Sequence, residues 1–361
     1  MDQWKKILDF GPRPVGSPAH DKTMEFIYQE MKGLGTDVHK EEFWFPGWEN
    51  RGTSYLTLKS PEKRQLESWL FLGSGNGDAE GELRWIGTNY IWNMYGWDLY
   101  AIFSEEQEIV GYVSGRIGGD ALSQTLIEGN GELPHFIVGE PENERLKELL
   151  QEHKVSVQGH AECGCREIKG TNIIVHMGVA ESNRKKIMIC AHYDSMYNTV
   201  GAYDNWAGTT VLMEFVKRYS GSGQEGELEI VFTDGEECRL AGSVYHAGKI
   251  DPGEYACVLN IDGIGRGNVM EIWGGAEWFN RKVLKLLSGN ENTLDFHLKW
   301  PPPPGSDHKP FYDMGIPVCM LTVNDQGIIH TPKDIYDDSI EKNMNKILAL
   351  VEYLVRNLQI E

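Results

Sequence analysis

This sequence has no long apolar run and no secretory leader pattern. None of its hydrophobic segments approaches the roughly 20 residues that a membrane-spanning helix needs, so we expect no membrane partner. The first residues, MDQWKKILDFGPRP, contain no apolar stretch followed by a small-residue cleavage site. We therefore expect a cytoplasmic protein, and a processed precursor stays open as the alternative, because a mature chain would look the same.

Positive charge is scarce. The chain has 34 lysines and arginines against 54 aspartates and glutamates, for a formal net charge of −20. An acidic surface repels phosphate groups, so we expect no nucleic-acid partner. The plain interpretation of this charge is solubility. A sharper interpretation is that part of it surrounds a site for a cationic group, such as the free amino terminus of a peptide.

Cysteine is also sparse, with six residues in a chain of 361. Small secreted folds that depend on disulfides carry cysteine far more densely. Cys190 and Cys257 lie in apolar segments and are predicted to be small, buried hydrophobic residues. Cys163 and Cys165 form a Cys-Gly-Cys pair that could bind a metal or act as a redox switch, but no second pair accompanies it.

What the chain does have, from Thr171 onward, is an alternation of apolar runs and helical patterns. The runs are short and nearly continuous, which is typical of strands buried on both faces of a sheet. They lie at 172–175, 186–190, 228–232, 256–261 and 317–321, and helical spacing is found at 17–34, after 201–210 and at 339–358. This pattern predicts an α/β fold: a three-layer α/β/α arrangement with a mixed, mostly parallel central sheet.

The texture changes between residues 46 and 165. This segment is rich in glycine, aromatic residues and short alternating runs, and it has one clear helical pattern near 141–152. We therefore predict a smaller, sheet-rich domain at 46–165, inserted into a main domain that comprises 1–45 and 166–361.

Metal-capable side chains follow the predicted strands. His192 and Asp204 come after the strand at 186–190, Glu237 after the next, Asp262 after the third, and His330 after the last. Open α/β sheets place their sites at the carboxyl ends of the strands, so these five side chains are expected to lie together.

Imidazole and carboxylate ligands without thiolate are typical of catalytic zinc sites. Two such ions need a bridging carboxylate, and Asp204, which precedes a predicted helix, is the natural bridge. Of the adjacent glutamates, Glu237 can bind metal while Glu236 points at a metal-activated water. Asp194, two residues after His192, suits a partner that orients the imidazole.

Several sequence elements in this order resemble the M28-type family of co-catalytic zinc peptidases. The resemblance covers about 171–361 and the PRPVGSP element near the start. The middle segment resembles, weakly, the protease-associated module that is often inserted in this family. The matching elements are AHYDS (191–195), GAYDNWAGT (201–209), DGEE (234–237), LAGS (240–243), NIDGIG (260–265), GSDHKPF (305–311), GIPV (315–318) and HTPKDIYDD (330–338).

The resemblance implies two zinc ions per chain, with cobalt or manganese as substitutes. It implies that His192 and Asp262 bind one ion, that Glu237 and His330 bind the other, and that Asp204 bridges them. Further roles are implied for three residues: Glu236 as general base and acid, Asp194 as the partner of His192, and His308 as a contact for the substrate carbonyl. The expected activity is removal of N-terminal residues from peptides by a metal-activated hydroxide.

Two features depart from the family pattern, and some side chains have simpler explanations. Arg239 stands where the family usually has a Gly-Leu type turn, and it is expected to affect substrate choice. The prolines at 301–304 leave that loop without a tyrosine for the substrate carbonyl.

Trp206 and Trp273 are predicted to pack in the core rather than line a pocket. His20, His135 and His153 are predicted to be surface residues.

Alternatives stay open at this point. A carboxypeptidase or dipeptidase would need basic residues for a terminal carboxylate, and Arg239 and Arg266 are the candidates near the site. A glutaminyl cyclase-like acyltransferase shares the fold but lacks the first histidine ligand, which is present here as His192. An inactive binding protein would have lost ligands, and none is lost.

Overall fold

The computed structural model describes residues 4–91, 95–125, 131–178, 185–220, 227–288 and 294–358. Their strands form two sheets of eight, numbered here along the chain. Within the described residues the first sheet has the spatial order β1 (Asp37–Asn50), β10 (Cys163–Met177), β12 (Leu228–Thr233), β11 (Lys186–His192), β13 (Tyr255–Ile264), β16 (Val318–Val323), β14 (Val269–Gly274) and β15 (Asp295–Lys299).

The first sheet is mixed, with a parallel centre. Strands β12, β11, β13 and β16 run parallel to their neighbours in that group. Strands β1 and β10 pair antiparallel at one edge, and β14 is antiparallel to β16 at the other. Four of the five predicted apolar runs lie within strands of this sheet, and the fifth, 317–321, begins one residue before β16.

Side chains of the central strands alternate between two cores. In β11, Ile187 and Ile189 pack into the core on one face, whereas Met188 and Cys190 pack into the core on the other. Because successive residues of a strand point to opposite sides, a run that is apolar throughout needs cover on both faces. The first core includes residues of α1 (Trp4–Leu8), α2 (Pro18–Gly33), α4 (Ala207–Ser220), α6 (Glu277–Ser288) and α8 (Asp338–Asn357), and the second includes residues of α5 (Ala241–Ala247) and α7 (His308–Asp313). The predicted three-layer α/β/α class is confirmed.

Helix α2 begins and ends where its sequence signals predict. The side chain of Ser17 accepts a hydrogen bond of 3.2 Å from the main-chain nitrogen of His20, and Pro18 occupies the first helical position. Ile27 and Met31, one helical turn apart, are fully buried in the first core.

The second sheet takes all its strands from between Tyr55 and Ala161. In the described part of the chain its order is β3 (Arg64–Leu66), β2 (Tyr55–Ser60), β9 (Ser156–Ala161), β5 (Gly77–Ile91), β6 (Tyr95–Phe103), β7 (Ile109–Arg116), β8 (His135–Val138) and β4 (Ser68–Leu70), and α3 (Glu140–Glu152) packs against it. These elements fall inside the predicted insert of 46–165. Strands β1 and β10 cross its predicted ends and belong to the first sheet, so the division into domains stays a prediction.

The cysteines follow their expected environments in part. Cys190 and Cys257 are fully buried, as predicted. Cys163 is buried with its Sγ 3.3 Å from the main-chain oxygen of Ser74, whereas Cys165 is exposed. Among the described helices, none combines the length and the apolar character that crossing a membrane requires.

Candidate metal centre

The five metal-capable side chains lie at one edge of the first sheet. His192 is the last residue of β11, Asp262 lies near the end of β13, and Glu237 follows β12. Asp204 lies in the turn before α4, where its φ of −122° and ψ of 97° are not helical, and His330 lies in the loop after β16. Because the central strands are parallel, their carboxyl ends meet at this edge. Each of the five residues is at most 7% exposed.

Asp204 stands between two imidazoles. Its Oδ1 lies 3.1 Å from Nε2 of His192, and its Oδ2 lies 3.0 Å from Nε2 of His330. Each imidazole nitrogen also faces a second carboxylate: Asp262 Oδ1 is 3.2 Å from the former, and Glu237 Oε2 is 3.3 Å from the latter. The carboxylate of Asp204 therefore joins two groups of ligands.

These groups form two triads. The first triad is His192, Glu236 and Asp262, and the second triad is Asp204, Glu237 and His330. In each, one ligand atom per residue lies within 4.8 Å of the others. Glu236, predicted from the sequence as a proton carrier, thus lies among the potential ligands of the first triad.

The donor set fits a divalent metal such as zinc. Imidazole nitrogens and carboxylate oxygens are the ligands of catalytic zinc sites, which keep a position open for water. Oε1 of Glu237 is buried, and within the described residues it accepts no hydrogen bond. A buried carboxylate oxygen without a partner is costly unless a cation compensates it.

Burial and mutual proximity perturb the acidities in both triads. Burial raises the pKa of Glu237 to about 8 and raises that of Glu236 well above its ordinary value. Burial also acts on Asp204, but hydrogen bonds with His192 and His330 outweigh it and lower the pKa of this carboxyl. Burial alone would lower the pKa of His330, yet the carboxylates of Glu237 and Asp204 raise it to about 9. The two glutamates therefore lie where burial disfavours their charged form, which a bound cation would compensate.

Asp194 contacts both triads. Its Oδ1 lies 3.3 Å from Nδ1 of His192, close enough for an ionic contact but without hydrogen-bond geometry. Its two oxygens also accept bonds of 3.2 Å from the main-chain nitrogens of Glu236 and Glu237. Asp194 thus contacts His192, and it also holds the loop that carries Glu236 and Glu237 through two main-chain hydrogen bonds.

Three residues near the ligands were given no role from the sequence. Asp334 accepts hydrogen bonds from the main-chain nitrogens of Tyr203 and Asp204. The hydroxyl of Ser306 donates to Asp262, and that of Thr209 donates to the main-chain oxygen of His192. All three lie in the sequence elements that resemble the M28-type family. Their hydrogen-bond partners are 17 to 131 residues away along the chain, and nothing in the local sequence indicates those contacts.

Arg13 is a further buried contact that the sequence did not assign. Its guanidinium donates to the main-chain oxygens of Tyr193 and Gly201, at 3.1 and 3.3 Å, and the residue is fully buried. Burial lowers its pKa to about 10. Arg13 therefore places a positive charge beneath the loop that leads to Asp204.

His308 belongs to neither triad. It is fully buried at the start of α7, and its Nε2 is 2.8 Å from the main-chain oxygen of Pro303. Burial lowers its pKa to about 4. Its ring packs edge-on against Trp273. His308 is not among the residues that line the cavity described below.

The prediction of surface histidines is wrong for two of the three. His20 is 2% exposed, and its Nε2 bonds Asp234 Oδ1 at 2.7 Å. His135 is also buried, with its Nε2 2.8 Å from the hydroxyl of Ser114. His153 is exposed, as expected. Burial of a histidine with a polar partner is common, but the partner is not visible in one sequence.

A cavity of about 810 Å³ opens onto both triads. Its walls are largely apolar. They are formed by residues from both parts of the chain, the part that carries the first sheet and the part that carries the second. Trp273 is buried, but it also lines the cavity, so the prediction that it packs in the core rather than lines a pocket is wrong. Trp206 packs in the first core, as predicted. The apolar wall includes Ile91, Trp97, Leu122, Trp273, Met320 and Ile329.

Two arginines also line the cavity. Arg239 was expected near the site, and Arg116, from the end of β7, was not. Arg116 is 6% exposed and donates to the main-chain oxygens of Asp120 and Gln326, at 3.0 and 2.7 Å. Arg266, the other candidate for a carboxylate contact, forms an exposed ion pair of 2.6 Å with Asp325.

Comparison with known proteins gives a family and a set of relatives. The sequence model of Peptidase family M28 matches residues 172–355. A protein of Trichophyton verrucosum named probable leucine aminopeptidase 2 is 24% identical over 300 residues, which cover 74% of this chain. The chain spans 58% of the length of that relative.

Solved structures share the fold. The peptidase M28 precursor of Shewanella amazonensis matches with a TM-score of 0.77 and 16% identity, covering 100% of this chain and 94% of that one. A zinc aminopeptidase of Bacillus subtilis matches with a TM-score of 0.70 and 16% identity, covering 97% and 94%. At this identity the likeness establishes the arrangement of the chain and not its chemistry.

Proposed function

This chain belongs to peptidase family M28, and from that premise we propose that it is a zinc-dependent aminopeptidase that binds two metal ions. The observation that carries the proposal is the position of Asp204, with one oxygen 3.1 Å from His192 Nε2 and the other 3.0 Å from His330 Nε2. A carboxylate shared by two ligand groups suits a pair of metal ions. The names of the relatives, a leucine aminopeptidase and a zinc aminopeptidase, agree with this activity.

The proposed roles follow from the chemistry of the side chains. His192 and Asp262 would hold one ion, Glu237 and His330 the other, and Asp204 both. When bound, zinc supplies Lewis acidity toward the carbonyl and makes water more acidic. Glu236 accepts the proton of the attacking water and passes it to the leaving amine. Asp194 keeps the loop of Glu236 in place by accepting its main-chain N–H at 3.2 Å.

The cavity favours the amino end of a peptide. Its lining includes carboxylates of both triads, and an uncharged amino terminus is a nitrogen donor that could take an open position at a zinc ion held there. Residues from the part of the chain that carries the second sheet, Trp97 and Leu122 among them, form one wall. A cavity closed on that side accepts a chain end more readily than the middle of a long chain, which favours an exopeptidase.

A second candidate is a carboxypeptidase or dipeptidase. Arg116 is a buried cation on the cavity wall, and Arg239 also lines the cavity. Guanidinium groups bind carboxylates in a bidentate manner, so either residue could hold the carboxyl terminus of a short peptide.

The test is hydrolysis of a matched substrate panel by protein reloaded with zinc, with metal counting on the same sample. The panel contains a leucine anilide, its N-acetylated form, a dipeptide, the same dipeptide with an amidated carboxyl end, and a peptide with N-terminal glutamine. Cleavage that needs a free amino group and tolerates amidation supports an aminopeptidase.

Other outcomes overturn the proposal. Cleavage that tolerates acetylation but needs a free carboxylate indicates the carboxypeptidase. Arg116→Gln would then raise KM only for substrates with that carboxylate, and Arg266→Gln would serve as the matched control. Release of ammonia from the glutamine peptide indicates a cyclase, and two bound metals without any turnover indicate a binding protein.

A further inference from the structure

A short segment beside the second sheet reaches into the metal centre. Residues 123–125 lie between β7 and β8, within the predicted insert. Ser123 and His330 form a reciprocal pair of contacts: the main-chain nitrogen of Ser123 donates to the main-chain oxygen of His330 at 3.0 Å, and Nδ1 of His330 lies 3.0 Å from the main-chain oxygen of Ser123. The segment thus touches a residue of the second triad from outside the first sheet.

These contacts determine which nitrogen of His330 carries the proton in the neutral ring. The main-chain oxygen of Ser123 can only accept a hydrogen bond, so Nδ1 must donate. Oε1 of Gln124, at 3.1 Å, is a second acceptor for the same N–H. The lone pair of a neutral His330 is then at Nε2, which faces Asp204 and Glu237. That is the tautomer a metal needs.

The same segment holds Glu237. The hydroxyl of Thr125 donates to the main-chain oxygen of Glu237. Two of the three members of the second triad therefore have a contact with residues 123–125. The first triad is supported by residues from the part of the chain that carries the first sheet: Asp194 contacts His192, and Ser306 donates to Asp262.

The segment is itself anchored to the second sheet. The main-chain nitrogen of Leu72 donates to the main-chain oxygen of Gln124 at 2.9 Å, and the hydroxyl of Ser123 donates to the main-chain oxygen of Leu70, in β4, at 3.2 Å. Ser123 is fully buried. Movement of the second sheet against the first would therefore carry the acceptors of His330 with it.

We propose that residues 123–125 are positioning residues for the second triad, so that the insert completes one metal site and leaves the other independent of it. The inference goes beyond the proposed function, in which the insert only forms a wall. It rests on that function for the identity of the ligands, but it concerns metal affinity and does not require peptide cleavage.

The experiment measures zinc occupancy without substrate. Native mass spectrometry of the full chain, at free zinc concentrations set by a chelator buffer, separates species with no, one and two ions. Gln124→Leu and Thr125→Val are each expected to weaken binding of one ion about 10-fold and to leave the other unchanged. This is the lower end of the usual effect of removing a partner of a ligand, because the main-chain oxygen of Ser123 stays in contact with His330. Gln124→Glu keeps an acceptor at Nδ1 and should preserve binding of both ions.

Background variants assign the effect to a triad. In a chain carrying Asp262→Asn, which impairs the first triad, Gln124→Leu should weaken the remaining site. In a chain carrying His330→Ala, where the second triad is already broken, it should change nothing. Gln158→Leu is the matched control, because Gln158 is a half-buried glutamine of β9 whose side chain accepts from Lys59.

Several outcomes would overturn the inference. The first is that Gln124→Leu and Thr125→Val both keep the zinc affinity of the unaltered chain. The second is that these variants weaken the binding of both ions equally, and the third is that Gln158→Leu shows the same loss of affinity. The last is that the unaltered chain binds fewer than two ions. A protein that binds two ions, shows the selective loss and yet cleaves no peptide would refute the proposed function and leave this inference standing. Thermal unfolding of each metal-free variant shows that the chain folds.

Discussion

The carboxylate of Asp334 accepts a hydrogen bond of 3.1 Å from the main-chain nitrogen of Asp204. Its other oxygen accepts one of 2.6 Å from the main-chain nitrogen of Tyr203. The turn that presents Asp204 to both imidazoles is thus held from the loop after β16, four residues beyond His330. One buried side chain thereby ties the backbone of Asp204 to the loop that carries His330, and both of these residues belong to the second triad.

Asp334→Ala should destabilise the metal-free protein and weaken metal binding. It leaves two buried N–H groups without an acceptor, at a cost of about 1–3 kcal/mol each. Zinc affinity should fall about 10-fold or more, because the backbone of the bridging residue is no longer fixed. Denaturant unfolding and zinc titration measure the two effects.

Asparagine variants give the graded comparison for Asp334. Asp334→Asn retains one acceptor oxygen, so its losses should be smaller than those of Asp334→Ala. Asp337→Asn is the control, since Asp337 caps α8 through a bond of 2.7 Å from Ser339 N, and asparagine caps helices equally well. Equal behaviour of Asp334→Ala and Asp337→Asn would contradict the assignment.

Glu236→Gln should separate proton transfer from metal binding. If Glu236 only carries the proton, the variant keeps both ions and KM while kcat falls about 10²–10⁴-fold. The position of Glu236 among the potential ligands of the first triad makes the alternative specific. Loss of one ion in the variant would identify Glu236 as a ligand, and near-full activity would refute both roles. Glu254→Gln, at an exposed glutamate, is the control.

Much of the main fold was predictable because burial on both faces leaves a local signal. The strand around Ile189 is apolar at every position, and the residues that follow it are polar and metal-capable. Such a change from apolar to polar at a strand end indicates where a parallel sheet places its site. The prediction that the five metal-capable residues come together therefore needed only the order of strands and loops.

What could not be predicted depends on contacts between distant segments. The partner of His20 is Asp234, 214 residues away, and nothing near His20 in the sequence indicates that it is buried. The contacts of Arg116 with Gln326 and of Ser123 with His330 join the second sheet to the first in the same way. Local sequence patterns show periodicity and helix capping, but they do not show how one sheet packs against another.

Chelation should lower the thermal stability of the zinc-loaded protein. The second triad alone buries two carboxylates beside each other, and a bound cation offsets their repulsion. A ligand at about 1,000 times its dissociation constant stabilises the folded state by about 4 kcal/mol, which corresponds to a rise in Tm of about 5–10 °C. Calorimetry before and after EDTA measures this shift. Zinc should restore the Tm, whereas magnesium, which prefers oxygen ligands, should not.

His246 should make folding stability depend on pH above neutrality, at a place remote from the metal centre. Its Nδ1 lies 3.1 Å from Glu41 Oε2, and its Nε2 lies 3.0 Å from Glu229 Oε1. Burial alone would lower the pKa of this imidazole, but hydrogen bonds with the two carboxylates raise it to about 9. Tyr255, which donates to Glu229 at 2.8 Å, and His176, at 3.6 Å from the same carboxylate, also belong to the cluster.

The sign of the effect follows from the two pKa values of His246. The folded pKa of about 9 lies above the ordinary value of 6.5, so the stabilising contribution is complete below pH 6.5 and is lost as the pH rises through 9. The difference in free energy of unfolding between the natural chain and His246→Gln should therefore be largest near pH 6, on the order of 2–3 kcal/mol, and shrink toward pH 10. Urea unfolding of both chains across this range, with EDTA present, measures it. His153→Gln, at an exposed histidine, should show no such trend. A difference that stays constant from pH 6 to 10 would mean that His246 is neutral in the folded protein, and that the carboxylates of Glu41 and Glu229 do not retain its proton.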